Sequence, residues 1–478
     1  MASKNINFDS IPGSIRKPGK YIEFNTKLAV RTLPTNAQEV LILGQRLPSS
    51  EGGGSMAALT PTRVFSDAEA AAYFGQGSML HRMVRAAINA NAYVSLTCLA
   101  VDDAAAGVVA TGGLALTGPA SGTGVATLTV GKDAVQVAVE SGDTAAEIAA
   151  EIVAQAAQQP DLPVALAANA GALTITAKHK GSLGNSIKLA FASTAPGLAG
   201  AVTAMTGGQT DPSVTAALAA VAGAGHNIII TPYTDVDNLV ALRTHLEFTG
   251  GPLEQRGAVA VYALAGTLAS ATTLAGSVNH GRISGALLRG ARRLPWEIAA
   301  AYGAVVASEE DPARPLNTLA LTGIDAPDVA DRLTRTEQEV LLHNGVTPLE
   351  VGPDGTSVQI VRAITTYTVN AEGVDDVALL DLTTIRTLDY VRKAVRERIV
   401  LRFPRSKLSS RTPPAARGEI LDVLIKLEEL EIVEEVEANK GGVICERDLQ
   451  DVNRLDAKIP TDVVNGLHVF AARIDLLL

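Results

Sequence analysis

Residues 226–264, HNIIITPYTDVDNLVALRTHLEFTGGPLEQRGAVAVYAL, determine the fold class. The apolar run in HNIIIT predicts a buried strand, DVDNLVALRTHLEF predicts a helix, and AVAVYAL predicts a second strand. The pattern continues with a helix in TLASATTLAGSV, a strand in RISGALL and a helix in PWEIAAAYGAVVAS. Strands that alternate with helices of this length are typical of a largely parallel sheet covered by helices. The sequence therefore predicts an α/β core.

The same alternation begins near residue 31. EVLILG predicts a buried strand, and SDAEAAAYFG predicts a helix in which Ser66 and Glu69 have the spacing of a capping box. A second helix is expected over about residues 78–91, and AYVSLTCLAV predicts the next strand. These elements would form the beginning of the core.

Residues 101–211 differ in composition from the segments on either side. Gly, Ala and Thr dominate, and Phe191 is the only aromatic residue between Tyr93 and Tyr233. VATLTV and AVQVAV predict a hairpin, ALTITA and SIKLAF predict further strands, and a helix is expected where Thr144 and Glu147 have capping-box spacing. We interpret this region as a small α+β, β-rich domain inserted into the core.

Both ends of the chain are predicted to be extended. Near the N-terminus two Pro-Gly pairs lie close together, which argues against a helix. At the other end, LHVFAARIDLLL has apolar residues at every even position from Phe470 onward, as in a strand with one buried face. The sequence alone does not identify the partner of that strand.

A basic helix is predicted in the last third of the chain, in TIRTLDYVRKAVRERIVLRF. One stripe of this helix is apolar, and the residues on the stripe are Ile385, Leu388, Val391, Val395 and Ile399. The basic residues expected outside it are Arg392, Lys393, Arg396 and Arg402. They could pair with the acidic run at 419–437 of the same chain or with an acidic protein partner. Nucleic acid is a weaker alternative, because few aromatic residues lie among the arginines.

Motifs of catalysis are missing from the sequence. It has no phosphate-binding loop, dinucleotide-binding glycine motif or nucleophile elbow, and no histidine pair has zinc-ligand spacing. Cys98 and Cys445 lie in apolar runs and are predicted to be inert core thiols. Trp296 is interpreted as a core anchor, and His226 as a residue between a helix end and a strand and not as a ligand-facing residue. We therefore expect no enzyme, cofactor or metal site.

The whole-chain composition excludes further classes. The formal net charge of -10 argues against general affinity for nucleic acid or anionic membranes. Long uncharged stretches are interrupted by Gly, Thr and Pro, so no membrane insertion is expected. The first residues lack the apolar segment of a signal peptide.

Several motifs, in order along nearly the whole chain, carry a family resemblance. They are NINFDSIPGSIRKPGKYIEFNTKLAVRTLPTNAQEVLILGQ, FGQGSMLHRMVRA, IIITPYTD, RPLNTLALTGIDAP, LLHNGVTPLEV and VRAITTYT. The sequence resembles the tail sheath proteins of Mu-like contractile-tailed bacteriophages, and PGKYIEF is similar to an element that opens contractile sheath proteins more broadly. Such proteins differ most among themselves in the region that corresponds to the insertion.

The resemblance implies a structural function without catalysis. Sheath subunits stack as hexameric rings into a helical homopolymer around a tail tube protein, and contraction drives the tube through the host envelope. Baseplate and tail terminator proteins are the further partners, direct nucleic-acid binding is not expected, and the location is the virion tail, assembled in the bacterial host cytoplasm. A tailocin or related injection-machine sheath, and an α/β enzyme with an unrecognised site, are the alternatives.

The resemblance also divides the chain and assigns contacts. The expected divisions are an N-terminal extended arm (1–28), a first core segment (29–100), the inserted outer domain (101–211), an inner, tube-facing second core segment (212–461) and a C-terminal arm strand (462–478). Inter-subunit strand contacts are predicted at Tyr21, Ile22, Phe24, Phe470, Ile474, Leu476 and Leu478. Contacts with the tail tube are predicted at Arg392, Lys393 and Arg396.

Overall fold

The computed structural model describes residues 15–22, 33–49 and 53–477. Its first elements are β1 (Glu39–Gln45), β2 (Thr62–Val64), α1 (Asp67–Phe74), α2 (Met79–Ala90) and β3 (Ser95–Val101). Ser66 caps α1 by accepting a hydrogen bond from the Glu69 N–H, as expected. The capping box is incomplete, because the Glu69 carboxylate accepts from the Phe65 N–H and not from that of Ser66.

Residues 109–206 form two small antiparallel sheets and a helix. The elements are β4 (Val109–Thr117), β5 (Gly124–Val130), β6 (Asp133–Val139), α3 (Ala145–Ala157), β7 (Val164–Asn169), β8 (Ala172–Lys180), β9 (Leu189–Ser193) and β10 (Ala199–Thr206). The strand orders are β10-β4-β8-β7 and β6-β5-β9. The capping box of Thr144 and Glu147 is complete, and the predicted hairpin is β5–β6.

The chain enters and leaves this region at one place. Val108 and Gln209 form an antiparallel bridge, with hydrogen bonds of 3.0 and 3.2 Å in the two directions. Whether the boundaries 101–211 delimit a separate domain stays a prediction.

The predicted alternation of strands and helices follows. The elements are α4 (Thr215–Val221), β11 (Ile228–Ile230), α5 (Val236–Gly250), β12 (Val259–Leu264), α6 (Leu268–Val278), β13 (Ile283–Leu287), α7 (Pro295–Ser308), α8 (Arg335–His343), β14 (Val346–Val351) and β15 (Val358–Ile360). In the described regions of the chain, the main sheet has the order β15-β14-β13-β12-β11-β1-β3-β2. Its six inner strands are parallel, and β2 and β15 are antiparallel edges. The α/β core is therefore confirmed.

The last elements belong to a helical pair with short strands. They are α9 (Leu382–Arg402), α10 (Thr412–Glu429), β16 (Val433–Glu434), α11 (Val436–Asn439), β17 (Ile444–Arg447), β18 (Leu455–Lys458) and β19 (Asp462–Val463). Short 3-10 turns lie at Ser182–Ser186, Val329–Asp331 and Lys440–Gly442. The strands β16 and β19 pair with each other, as do β17 and β18.

Helix α7 is the centre of the core. All of its residues except Ser308 are buried, as its almost uniformly apolar sequence requires. It packs on β12, β11 and β1 and against α2. At Gly303 the helix approaches the sheet so closely that a Cβ atom would lie 2.5 Å from a side-chain carbon of Ile230. Trp296, in the first turn, is buried, which confirms its interpretation as a core anchor.

A buried ion pair joins α2 to α7. The Nε of Arg82 lies 2.9 Å from the Glu297 carboxylate, and these side chains are 4% and 3% exposed. The Nη1 of Arg82 lies 2.8 Å from the Asp133 carboxylate at the start of β6 and donates to the carbonyl of Asp161. One arginine thus ties two core helices to the small three-stranded sheet.

Candidate functional site

Helix α9 carries the predicted surface and is fixed by packing on α10. Tyr390, Val391 and Ala394 are buried in one apolar cluster with Ile420 and Val423 of α10. The predicted apolar stripe differs from the observed one. Leu388 is 37% exposed, whereas Tyr390 and Ala394, which the stripe did not include, are buried because they face α10.

Five of the six basic residues of α9 fall into two groups. Arg398 is buried, and its Nη1 lies 3.3 Å from Glu419 and 2.5 Å from Asp422 on α10. Arg402 also lies 3.3 Å from Glu419, which is the predicted pairing with the acidic run of the same chain. Here the alternative of pairing within the same chain is correct, since α10 lies alongside α9 and carries the first part of the acidic run.

The second group contains the three residues predicted to meet a tube. Arg392 donates to the carbonyl of Gly250 and to the Asp389 carboxylate, at 2.7 and 2.8 Å. Lys393 donates to the carbonyl of Thr35 at 2.7 Å, and Arg396 reaches Gln255 at 3.3 Å. The structure therefore brings Arg392, Lys393 and Arg396 together on one side of α9. Their contact with a tube stays a prediction.

Residues 33–36 lie against the same side of α9. Tyr390 donates its hydroxyl to the carbonyl of Pro34, and Asn36 donates to the carbonyl of Glu310. Nearer the N-terminus, Tyr21 and Ile22 are exposed, and the Tyr21 hydroxyl donates to the carbonyl of Lys17. Phe24, which was predicted to make a strand contact, lies outside the described residues.

The C-terminal segment leaves the body of the chain near His468. The imidazole of His468 contacts Asn317 at 2.9 Å and lies 3.5 Å from Asp381. Residues 464–477 form no helix or strand, and the side chains of Phe470, Ile474 and Leu476 are 85%, 96% and 83% exposed. The predicted arm strand is thus absent from the single chain, because a strand needs a neighbour for its backbone hydrogen bonds. Leu478 lies outside the described residues.

The strands β17 and β18 form a small two-stranded sheet. Within the described residues, β17 and β18 pair only with each other, so each has an outer edge without a strand neighbour. Their side chains are mostly exposed, with Ile444 at the surface. Such edges expose backbone donors and acceptors that can pair with another strand.

The two cysteines and His226, for which the sequence predicts no binding or catalytic role, differ in their burial. Cys98 is buried, and burial raises the pKa of its thiol; Cys445 is half-buried, and burial also raises its pKa. His226 lies at the mouth of a cleft beside α9, and burial lowers its pKa. In residues 15–22, 33–49 and 53–477 no group of His, Cys, Asp and Glu could hold a metal ion. No described helix is long and apolar enough to cross a membrane.

Sequence reasoning missed two arginines, Arg256 and Arg386, which lie in that cleft. Arg386 is seven residues before Lys393, a spacing that puts both on the same face of a helix. This spacing could have placed Arg386 beside Lys393 from the sequence alone. No pattern in the sequence indicates that Arg256 lies beside them, because it follows α5 in a loop far away in the chain.

Comparisons with known proteins place the chain among sheath proteins. The phage tail sheath protein central domain matches residues 207–366, and the phage tail sheath C-terminal domain matches residues 374–476. The Mu-like prophage FluMu tail sheath protein of Haemophilus influenzae is 34% identical over 495 residues, covering 99% of this chain and 100% of the relative.

Two solved structures share the fold. The sheath tail protein of Desulfitobacterium hafniense has a TM-score of 0.52 at 14% identity, covering 94% of this chain and 97% of that one. A chain of the anti-feeding prophage baseplate has a TM-score of 0.50 at 11% identity, covering 97% and 100%.

Proposed function

The chain belongs to the phage tail sheath protein family and is a tail sheath protein of the Mu-like type, and from this premise we propose how its copies assemble and act. The copies polymerise as a helical stack of hexameric rings around a tail tube. Contraction of this stack drives the tube through the host envelope. The observation that carries the proposal is the exposed C-terminal segment, whose apolar residues alternate and have no partner strand among the described residues.

The C-terminal segment has the properties of a strand donated to a neighbouring copy. Phe470, Ile474 and Leu476 would fall on one face of such a strand, because alternate residues share a face. Burying each large apolar side chain contributes roughly 1.5–3 kcal/mol, and each main-chain hydrogen bond adds roughly 0.5–1.5 kcal/mol. Leaving these side chains in water, as the single chain does, forgoes that free energy. Polymerisation recovers it.

The receiving edge belongs to the two-stranded sheet β17–β18. It is exposed, it has outer edges without a strand neighbour among the described residues, and main-chain pairing at such an edge is the usual mode of strand addition. Tyr21 and Ile22 of the N-terminal arm, together with Phe24, would supply a second strand. A linkage of this kind keeps neighbours connected while their bodies rotate.

The first experiment removes residues 470–478 and examines the purified protein by electron microscopy. We expect no ordered tubes. A sharper variant replaces only the apolar face, as F470S/I474S/L476S, and its matched control replaces the exposed Arg473 and Asp475 of the other face, as R473S/D475S. The control should polymerise like the unaltered chain. Ordered tubes from the truncated protein would show that the arm is dispensable.

Contact with the tube is assigned to Arg392, Lys393 and Arg396. Arg396 is the most exposed of the three, whereas Arg392 is partly neutralised by Asp389. A cationic surface favours an acidic partner, and salt screens the attraction. Charge reversal in K393E/R396E should weaken sheath assembly around tubes and make it less salt-sensitive. The matched control is R405E/K407E, at exposed positions just after α9. Equal assembly of both variants around tubes would refute the assignment.

The remaining elements of the proposal follow from the structural function. The protein performs no catalytic step and needs no cofactor. Its other partners are the baseplate and the tail terminator protein, and assembly takes place in the cytoplasm of the bacterial host. Purified tails from infected cells, analysed by mass spectrometry and immunogold labelling, should show the protein along the whole tail. Labelling confined to one end of the tail would contradict this role.

A further inference from the structure

A polar cleft lies between α9 and the edge of the main sheet where β1, β11 and β12 begin. Its volume is about 320 Å³, and it is lined by residues 36–39, 225–227 and 255–259 and by one side of α9. This edge of a parallel sheet is opposite to the one where the strands end, so the cleft is unrelated to a conventional α/β active site.

Positive charge exceeds negative charge on the walls of the cleft. The five basic residues are Arg256, Arg386, Arg392, Lys393 and Arg396, and the two acidic ones are Glu39 and Asp389. Asp389 is already bound by Arg282, at 2.6 and 3.0 Å, and by Arg392. Glu39 accepts a hydrogen bond from Ser95 and lies 3.7 Å from Arg63. Five positive charges less two negative ones leave a formal surplus of three among the lining residues, and of two when Glu254, which pairs with Arg256, is included.

The deepest donor in the cleft is Arg386. Its side chain is only 7% exposed, and its Nη2 donates to the carbonyl of Glu309. Its Nη1 is buried and has no hydrogen-bond partner among the described residues. Burial lowers the pKa of Arg386 to about 10, with Glu309 and Asp311 opposing that effect. A buried guanidinium nitrogen without an acceptor is unfavourable unless something else supplies one.

A second arginine that lines the cleft also has a buried nitrogen without a hydrogen-bond partner among the described residues. The Nε of Arg256 is buried and has no partner among the described residues, while its Nη2 donates to the carbonyl of Ala222 and to Glu254. Guanidinium groups present N–H donors in a planar fork that matches the oxygens of carboxylate and phosphate. Two such unpartnered donors in one cleft indicate an absent acceptor with several oxygens.

We propose that this cleft is a binding site for a small dianionic oxyanion, of the phosphate or dicarboxylate class. Arg386 Nη1 and Arg256 Nε supply the inner hydrogen bonds, and Lys393 and Arg396 supply positive charge at the mouth. Asn36 and Asn227 on the opposite wall add neutral polar groups. Every group of the site belongs to one chain, so the site is complete without polymerisation or a tube.

Equilibrium dialysis of the full-length protein in the absence of tubes, with ³²P-labelled inorganic phosphate, tests the proposal. Sodium chloride holds the ionic strength constant, and a parallel arm uses ¹⁴C-labelled succinate. We expect saturable binding of about one anion per chain in at least one arm, because charge-assisted hydrogen bonds to a buried guanidinium are strong. The arm with the tighter binding identifies the class.

Variants link the binding to the cleft. Arg386→Gln and Arg256→Gln should each weaken binding at least tenfold, and Arg405→Gln, at an exposed position outside the cleft, should bind like the unaltered protein. If Arg386→Gln does not fold, Arg256→Gln and Lys393→Gln carry the comparison. No saturable binding of either anion, or binding unchanged in the cleft variants, would overturn the proposal. Tube formation by these variants is scored separately and bears only on the proposed function.

Discussion

Removing the buried arginine that joins α2 to α7 should destabilise the core severely. Arg82→Met keeps much of the side-chain volume but leaves Glu297, 3% exposed, without its main counter-charge. Removing one partner of a buried ion pair lowers the free energy of unfolding by about 3–5 kcal/mol. Arg293 lies 3.8 Å from the same carboxylate and partly compensates, so we expect the lower end of that range, about 3 kcal/mol.

Trp296, adjacent to Glu297 and the only tryptophan in the chain, reports the unfolding of this region by its fluorescence. With a guanidinium m-value of about 4 kcal/mol/M, a loss of about 3 kcal/mol lowers the unfolding midpoint by roughly 0.8 M. The double variant R82M/E297Q removes both charges. It should lose at least about 1 kcal/mol less than the sum of the two single variants, because the pair is directly coupled.

The matched control for R82M is Arg292→Met. Arg292 forms an ion pair with Asp328 at 2.9 Å, but both side chains are exposed. Exposed pairs contribute less than about 1 kcal/mol, so this variant should unfold close to the unaltered protein. If R82M and R292M had midpoints within error of each other, the assignment of a structural role to the buried pair would be refuted.

Gly303→Ala should lower the free energy of unfolding by about 1–3 kcal/mol, because its Cβ would lie 2.5 Å from a β11 side-chain carbon. Gly276→Ala, on the open side of α6, should be neutral or slightly stabilising in the same denaturation assay. Burial, with nearby arginines, lowers the pKa of His280 to about 4. Between pH 6.5 and 4 the unfolded chain therefore binds a proton at His280 that the folded chain does not, so the free energy of unfolding falls as the pH drops through this range. In a series of melting curves over these pH values, the melting temperature of His280→Gln should fall less than that of the unaltered protein. Maleimide should label Cys445 before Cys98 in the native unassembled protein, as read by mass spectrometry, with both labelled in guanidinium; equal native rates would contradict the burial of Cys98.

Local signals in the sequence predicted most of the elements. Thr144 and Glu147 mark a helix start because the capping box involves neighbours three residues apart. The apolar runs around Ile229 and Val261 predicted strands because both faces of those strands are buried. Signals of this kind are complete within ten or fifteen residues. They need no knowledge of the rest of the chain.

Pairings across long distances in the chain were not predictable in this way. Arg82 and Glu297 are 215 residues apart, and nothing in either local sequence indicates a buried partner. The division of the basic residues on α9 also escaped prediction. It depends on where α10 lies, which decides that Arg398 pairs within the chain while Arg396 remains exposed.

The terminal arms illustrate a different limit. The alternation from Phe470 to Leu476 predicted a strand, yet these residues form none in the single chain. A strand is stabilised by hydrogen bonds to a neighbour, so its sequence can specify it without one chain being able to form it. The family resemblance predicts that the partner is a strand of a neighbouring subunit.

The bridge between Val108 and Gln209 bears on how this protein could change over generations. Because the two crossings of the chain lie side by side, a change of length between them does not alter the span that the surrounding sheet must close, provided that Asp133 and Asp161 keep their contacts with Arg82. The bridge between β3 and α4 would then be a junction at which the length of the chain can change while the strand order of the main sheet stays the same.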